Sequence, residues 1–233
     1  MTEPLASVLV PGLGASARLY AEQVPELWQL GPVTIADHTR DESIAAIARR
    51  VLAGAPPRFA LLGLSMGGYI SFEILRQAPD RVAKLVLLDT SARPDLPEQT
   101  VMRRAQMSLA RSGRLEEIFE QLYPRLVHTA RRGDQALRQL VRQMTEEVGA
   151  SAFVRQQTAI IGRPDSRPGL AVIGCPTLVI VGDGDLLTPP ERAEEIARGI
   201  PGAQLLTIPE CGHLSTLEQP HAVTRALVSF LQG

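Results

Sequence analysis

The chain has 233 residues, 45% of them hydrophobic, and its 25 acidic and 24 basic side chains leave a net charge of −1. That length suits one large domain, or a domain carrying an insertion, with a sizeable core. The charge balance offers no footprint for nucleic acid or an anionic membrane. The apolar run Leu5–Val10, with no cationic segment ahead of it, is too short for a secretory or membrane-spanning segment, so a cytoplasmic protein is expected.

The first predicted strand, Ala6–Val10, runs into Pro11-Gly12-Leu13-Gly14. A second, Val33–Ala36, ends at Asp37 and His38, and Ser43 caps a helix whose apolar positions are Ile44, Ile47 and Val51. The third, Phe59–Leu62, enters Gly63-Leu64-Ser65-Met66-Gly67-Gly68 and gives way to a helix over Met66–Gln77. A fourth follows at Leu85–Leu88. From about residue 93 to 170 the strand signal stops. Leu115, Ile118, Phe119 and Leu122 form one helical stripe, and Leu137, Leu140, Val141, Met144 and Val148 form another. The polar stretch from Arg163 to Pro168 reads as a linker leading back to a fifth strand, Thr177–Val181. A helix at Pro190–Arg198, a sixth strand at Leu205–Ile208 and a last helix at Ala222–Leu231 complete the chain.

The strand runs are continuous rather than alternating, as in strands covered on both faces, and they alternate with helices. The expected fold is therefore α/β: a six-stranded, mostly parallel sheet with helices on both faces and a helical lid inserted after the fourth strand. Residues 1–92 and 171–233 would form the core and 93–170 the lid. That lid segment carries thirteen arginines against nine acids, which suits either solvated helix faces or attraction of an anionic substrate. Two cysteines argue against a disulfide framework. Cys175 precedes the fifth strand and Cys211 follows the sixth, so parallel strands would hold them roughly a strand length, ~17 Å, apart. Cys211 reads as a small packing residue rather than a reactive thiol.

A serine in a Gly-x-Ser-x-Gly turn between strand and helix is either a plain helix N-cap or an exposed nucleophile on a strained backbone. Its hydroxyl needs a base. His213, in the loop after the last strand, falls at the same sheet edge as Ser65, with His38 the next candidate; His128 in the lid and His221 on the last helix suit the role poorly. Asp185 and Asp183, after the fifth strand, are the carboxylates placed to orient an imidazole. Asp185 lies further along the loop, and Asp183 reads as a turn or capping residue. The Leu13 and Met66 amides would be the oxyanion donors. The alternative for Gly12-Leu13-Gly14, a phosphate loop, lacks the third glycine, since Ala17 stands in its place. Met102, Met107, Phe119 and Phe153 are candidates for lining an apolar pocket above Ser65.

Taken in order, Val8–Gly14, Gly63–Gly68, Leu85–Asp89, Pro176–Asp185 and Cys211–Pro220 resemble the α/β-hydrolase-fold superfamily over nearly the whole chain, nearest its small bacterial carboxylesterases and enol-lactonase-like members. The resemblance implies a Ser65–His213–Asp185 triad that cleaves a small carboxylic ester, thioester or lactone, with no metal or organic cofactor. It leaves open an acyltransferase, a C–C bond hydrolase or a weakly catalytic receptor on the same triad, and it leaves the oligomeric state unread. Two departures stand out. Pro11 occupies a position that is often histidine in the family, and the family's N-terminal antiparallel strands are expected to be absent, since the first predicted strand matches the family's third. Serine at position 65 argues against the dehalogenase and epoxide-hydrolase branches, which use aspartate.

Overall fold

The computed structural model describes residues 4–233; Met1–Glu3, the start of the segment read for targeting signals, lie outside them. Six strands form one sheet: β1 (Ala6–Val10), β2 (Val33–Ile35), β3 (Phe59–Leu64), β4 (Val82–Leu88), β5 (Thr177–Gly182) and β6 (Gln204–Ile208). Their order is β2-β1-β3-β4-β5-β6, and every neighbouring pair is parallel. The four central strands are almost wholly buried, while β2 and β6 at the edges are partly exposed, which is why their sequences are the least continuous. β4 starts three residues before its apolar run. Lys84 is accommodated inside it because its Nζ donates to the carbonyls of Phe230 (2.9 Å) and Leu231 (3.0 Å) at the end of the last helix.

Helices cover both faces: α1 (Val24–Trp28), α2 (Ile44–Gly54) and α3 (Met66–Gln77) come early, and α7 (Pro190–Gly199), α8 (Ser215–Glu218) and α9 (Pro220–Gln232) come late. Ser43 caps α2 through Oγ, which accepts the Ala46 N–H at 3.2 Å. On one face Ile47, Ile70 and Ile196 of α2, α3 and α7 pack against Val8, Leu61, Leu85 and Val179. On the other, Leu27 of α1 and Val223 and Leu227 of α9 pack against Leu9, Leu62, Val86 and Leu178. Successive strand residues thus belong to opposite cores, and neither face can tolerate polar alternation.

Between β4 and β5 the chain is entirely helical, with α4 (Pro97–Arg111), α5 (Leu115–Leu126) and α6 (Gln135–Ile161). α6 is broken at Gly149, whose φ of 74° is left-handed. Of the two stripes, Phe119, Leu137, Val141 and Met144 join the α1/α9 core, while Ile118 packs with Ala110 and Phe153 in a small cluster of their own. Among the described residues no helix is long and apolar enough to cross a membrane.

Strand order reverses at β1 and β3, so the crevice beyond their carboxyl ends is where such a sheet opens a site. Both ends are glycine-dependent. A Cβ on Gly67 would lie 2.0 Å from the Val10 carbonyl oxygen, one on Gly63 would lie 2.4 Å from the Gly67 oxygen, and one on Gly68 would meet Thr90 Oγ1 at 2.3 Å. Gly67→Ala should therefore lower stability by several kcal/mol, because backbone must move to admit the methyl group. Gly54→Ala, with nothing within 4 Å, should leave stability unchanged or slightly raised. Denaturant midpoints of the two variants check the contrast, and equal midpoints would contradict the close approach.

Candidate active site

The turn after β3 holds Ser65 at φ 55° and ψ −112°, outside the region a side chain ordinarily adopts. Neighbouring strands hold it there. Its N–H donates to the Leu88 carbonyl at 2.9 Å, and its own carbonyl accepts from Thr90 Oγ1 at 2.7 Å and from the Gly68 N–H at 2.9 Å. The Ser65 side chain caps no N–H of α3, so the plain N-cap reading does not hold. Its Oγ instead lies 2.8 Å from His213 Nε2.

His213 sits between β6 and α8, its N–H bonded to the Leu126 carbonyl at the end of α5 (3.0 Å). Its Nδ1 lies 2.7 Å from Asp185 Oδ2. An ionised carboxylate can only accept, so Nδ1 carries the proton and Nε2 is left to accept from the serine hydroxyl. Asp185 is itself fixed: Oδ1 accepts the N–H groups of Leu187 (2.8 Å) and Thr188 (3.0 Å), and Oδ2 accepts the Thr188 hydroxyl (2.7 Å). Asp183 lies in the turn after β5, and its side chain reaches across to the loop after β6, accepting the Cys211 N–H at 3.2 Å.

Electrostatics follow from burial. Burial alone would depress the His213 imidazole, but the charge and hydrogen bond of Asp185, with smaller help from Asp89 and Glu218, hold it above its ordinary value. Burial likewise works against the Asp185 carboxylate, and the partnership with His213 and Thr188 outweighs it, keeping Asp185 below the usual range. Burial pushes the Cys211 thiol far up, which removes it as a nucleophile and leaves it a packing residue. Both cysteines are free, as their places at opposite strand ends require.

The sequence missed two carboxylates. Asp89, fully buried after β4 with φ 44°, accepts the Gly182 N–H at 3.0 Å and the Ser215 N–H at 3.4 Å, together with the Ser215 hydroxyl. Glu218 accepts the N–H groups of Gly212 (3.0 Å), Leu214 (3.3 Å) and His128 (2.7 Å). They clamp the loop of His213 from both sides. Asp89 could have been flagged by the argument that found Asp185, since it follows a strand at the same sheet edge. Glu218 gave no signal of its own.

The loop after β1 is pinned at three points: Tyr20 Oη donates to the Val10 carbonyl (2.9 Å), His38 Nε2 lies 2.9 Å from the Gly12 carbonyl, and the Gly14 N–H donates to Gln156 Oε1 (3.0 Å). The N–H groups of Leu13 and Met66 donate to no backbone or side-chain acceptor among the described residues. His38 is thus committed to the loop, and burial depresses its imidazole; it is not placed beside Ser65. His128 caps the turn after α5 through its own ring, and His221 lies on α9.

A cavity of about 300 Å³ opens over Ser65 and His213. Met102, Phe119 and Phe153 line it, and Met107 does not; that side chain is buried elsewhere on α4. Nor is the wall simply apolar. Arg93, Arg103, Arg125, Arg163, Arg167 and Arg192 contribute to it, and among the described residues no carboxylate does. Arg163, expected in a polar linker, is buried. Among the described residues, no group of three or more His, Cys, Asp or Glu side chains is placed to hold a metal ion.

The rate at which a fluorophosphonate labels Ser65 should rise with pH through a midpoint above 6.5, because only neutral imidazole accepts the proton and Asp185 raises its pKa. Asp185→Asn removes the raising charge and leaves the burial that lowers, so the midpoint should move down and the plateau rate should fall. An unmoved midpoint would contradict the pairing. Asp89 supplies an independent check. Burial and the Asp185 charge push it up to about 8 from 3.8, so between these values the folded state holds a proton that the unfolded chain has lost. Stability due to this group therefore falls as pH rises through that window. The stability of Asp89→Asn relative to the parent should rise from pH 4 to pH 8, measured by urea unfolding.

The model for the alpha/beta hydrolase fold family matches residues 10–220. A thermophilic esterase from Thermogutta terrifontis superposes with a TM-score of 0.90 at 33% identity, covering 98% of this chain and 89% of its own. The enol-lactonase of Burkholderia xenovorans gives 0.89 at 25% identity, covering 99% and 92%. In sequence, a pimeloyl-[acyl-carrier protein] methyl ester esterase of Neisseria meningitidis is 25% identical over 97% of this chain and 92% of its own length. The parallel sheet, the serine turn at its reversal point and a family match over most of the chain agree: this protein belongs to the alpha/beta hydrolase fold family.

Proposed function

We propose that the protein is a serine hydrolase of small carboxylic esters, thioesters or lactones, working through an acyl-enzyme on Ser65. The observation that carries this reading is the unbroken relay from Asp185 Oδ2 through the His213 ring to Ser65 Oγ, at 2.7 and 2.8 Å. Esterases among its relatives support it.

In this scheme Ser65 Oγ attacks the substrate carbonyl carbon while its proton passes to His213 Nε2. Asp185 stabilises the imidazolium without taking the proton. The carbonyl oxygen gains charge and accepts from the free Leu13 and Met66 N–H groups, which lie at the ends of adjacent strands. His213 then protonates the departing alkoxide or thiolate. A water molecule, giving its proton to the same nitrogen, releases the acid and restores the serine. Base, nucleophile and donors all come from the chain, so the scheme needs neither metal nor organic cofactor. Residues 93–170 act as a lid that shapes the cavity, and 1–92 with 171–233 form the catalytic core; the first three of these residues lie outside those described.

Hydrolysis of a chain-length series of activated esters tests the scheme. Ser65→Ala should lower kcat by on the order of 10⁶, as loss of a triad nucleophile does. Mass spectrometry of the phosphonate-treated protein should place the adduct on Ser65. An alanine variant that keeps parental activity, or an adduct elsewhere, would overturn the assignment.

A further inference from the structure

The cavity wall has a charge that the hydrolytic scheme leaves unused. Arg163, at the end of α6, has a side chain only 6% exposed. Its Nε donates to the Arg93 carbonyl at 3.0 Å, and its Nη1 donates to Asp95 Oδ1 at 2.6 Å and to the Ile160 carbonyl at 3.1 Å. Nη2 has no hydrogen-bond partner among the described residues, and Arg163 lines the cavity. The guanidinium lies over the ring of Tyr69, 4.3 Å from its centroid, and Tyr69 stands one helical turn after Ser65 on α3. Arg163 and the nucleophile thus line the same cavity.

Its acid is not its own. Asp95, with a side chain 2% exposed, also pairs with Arg103 at 2.7 Å, and Arg103 spends a further donor on Gln157 Oε1 at 2.9 Å. Two guanidiniums share one buried carboxylate, leaving one positive charge in excess where solvent screening is weak. Elsewhere on the wall Arg93 has Glu195 and Arg167 has Asp165, whereas Arg125 and Arg192 form no salt bridge among the described residues. Solvation explains the exposed arginines. Arg163 differs, because its unpartnered Nη2 keeps access to the cavity while the rest of the side chain is buried, and a neutral occupant displacing water there would leave a cationic N–H₂ unpaired.

We propose that Arg163 forms an anion subsite, and that the preferred substrate is an ester, thioester or lactone carrying a carboxylate apart from the scissile group. The proposal rests on the hydrolase reading above. Arg163 presents a planar donor already fixed by Nε and Nη1, so little ordering remains when a carboxylate oxygen meets Nη2. The apolar side chains of Phe119, Phe153 and Met102 suit the methylene segment between the two functional groups.

The test compares two activated esters of equal length, the mono-p-nitrophenyl ester of glutaric acid and p-nitrophenyl valerate. The parent protein should show a kcat/KM at least about tenfold higher for the anionic ester, the range of one charged hydrogen bond. Arg163→Gln should collapse that ratio towards unity, and Arg163→Lys should retain part of it. A purely structural arginine would lower both substrates together and leave the ratio unchanged. Should either variant fold poorly, glutarate and glutaramide binding to Ser65→Ala by calorimetry gives the same answer: glutarate should bind more tightly. Equal ratios or equal binding overturn the subsite. The hydrolase reading is judged separately, since it stands if Ser65→Ala abolishes valerate ester cleavage and falls if it does not.

Discussion

The backbone of α3 passes so close to the end of β1 that only hydrogen fits between Gly67 and the Val10 carbonyl. Much of the site depends on that approach. It brings the amide of Met66, at the first turn of α3, beside the loop that carries Leu13, so two N–H groups from different strands open on one space. It also forces the reversal at Ser65 to occur within one residue, at a strained φ, with the hydroxyl lifted off the helix. Stability given up at that residue is recovered at the neighbouring strand, where Leu88 at its end and Thr90 just beyond it hold the Ser65 N–H and carbonyl. A looser packing of α3 would relieve the strain and dissolve the geometry together.

A second layer of control is the set of titratable groups buried beneath the serine. Asp185, His213, Asp89 and Glu218 are each at most 3% exposed. Placing three carboxyl groups around one imidazole is unfavourable unless each is supplied with donors or, like Asp89, holds its own proton, and here the donors are mostly backbone amides of the loops being held. Asp89 ties the Asp185 loop to the start of α8 through Gly182 and Ser215, and Glu218 folds back on Gly212 and Leu214. The ring of His213 is thus positioned by its own peptide's surroundings as much as by Asp185. Glu218 and the Leu126 carbonyl extend this network to the helical insertion, through the His128 N–H and the His213 N–H respectively.

What could be read from the sequence was whatever depended on order along the chain. Apolar runs marked the strands, glycines marked the turn at Ser65, and position after a strand placed Asp185 and His213 at one sheet edge. The choice of Asp185 over Asp183 was also local, since one more turn of loop is what lets a carboxylate reach back to an imidazole. What could not be read depended on side chains meeting across the fold. Nothing near Glu218 announces that it serves three amides, and nothing in the stretch after Ile161 separates Arg163, buried against Tyr69, from Arg167, paired with Asp165 in solvent. Met102 and Met107 are both apolar residues of α4, five positions apart; five residues are 1.4 turns, and only Met102 reaches the cavity.

The arginine excess of the insertion shows why location decides where composition does not. Its outer helices neutralise much of their charge locally, through Arg114–Glu117, Arg131–Asp134 and Arg142–Glu116, pairs at the surface that each contribute little. The buried pairing of Asp95 with two arginines leaves one positive charge in excess away from water. An excess of four spread over solvated helices would carry no chemical message, whereas a single cation held at the cavity wall does. The segment that supplies this cation also supplies the carbonyl of Leu126 that holds the His213 backbone. The proposed anion subsite and the backbone support of His213 therefore come from one stretch of chain, residues 93–170.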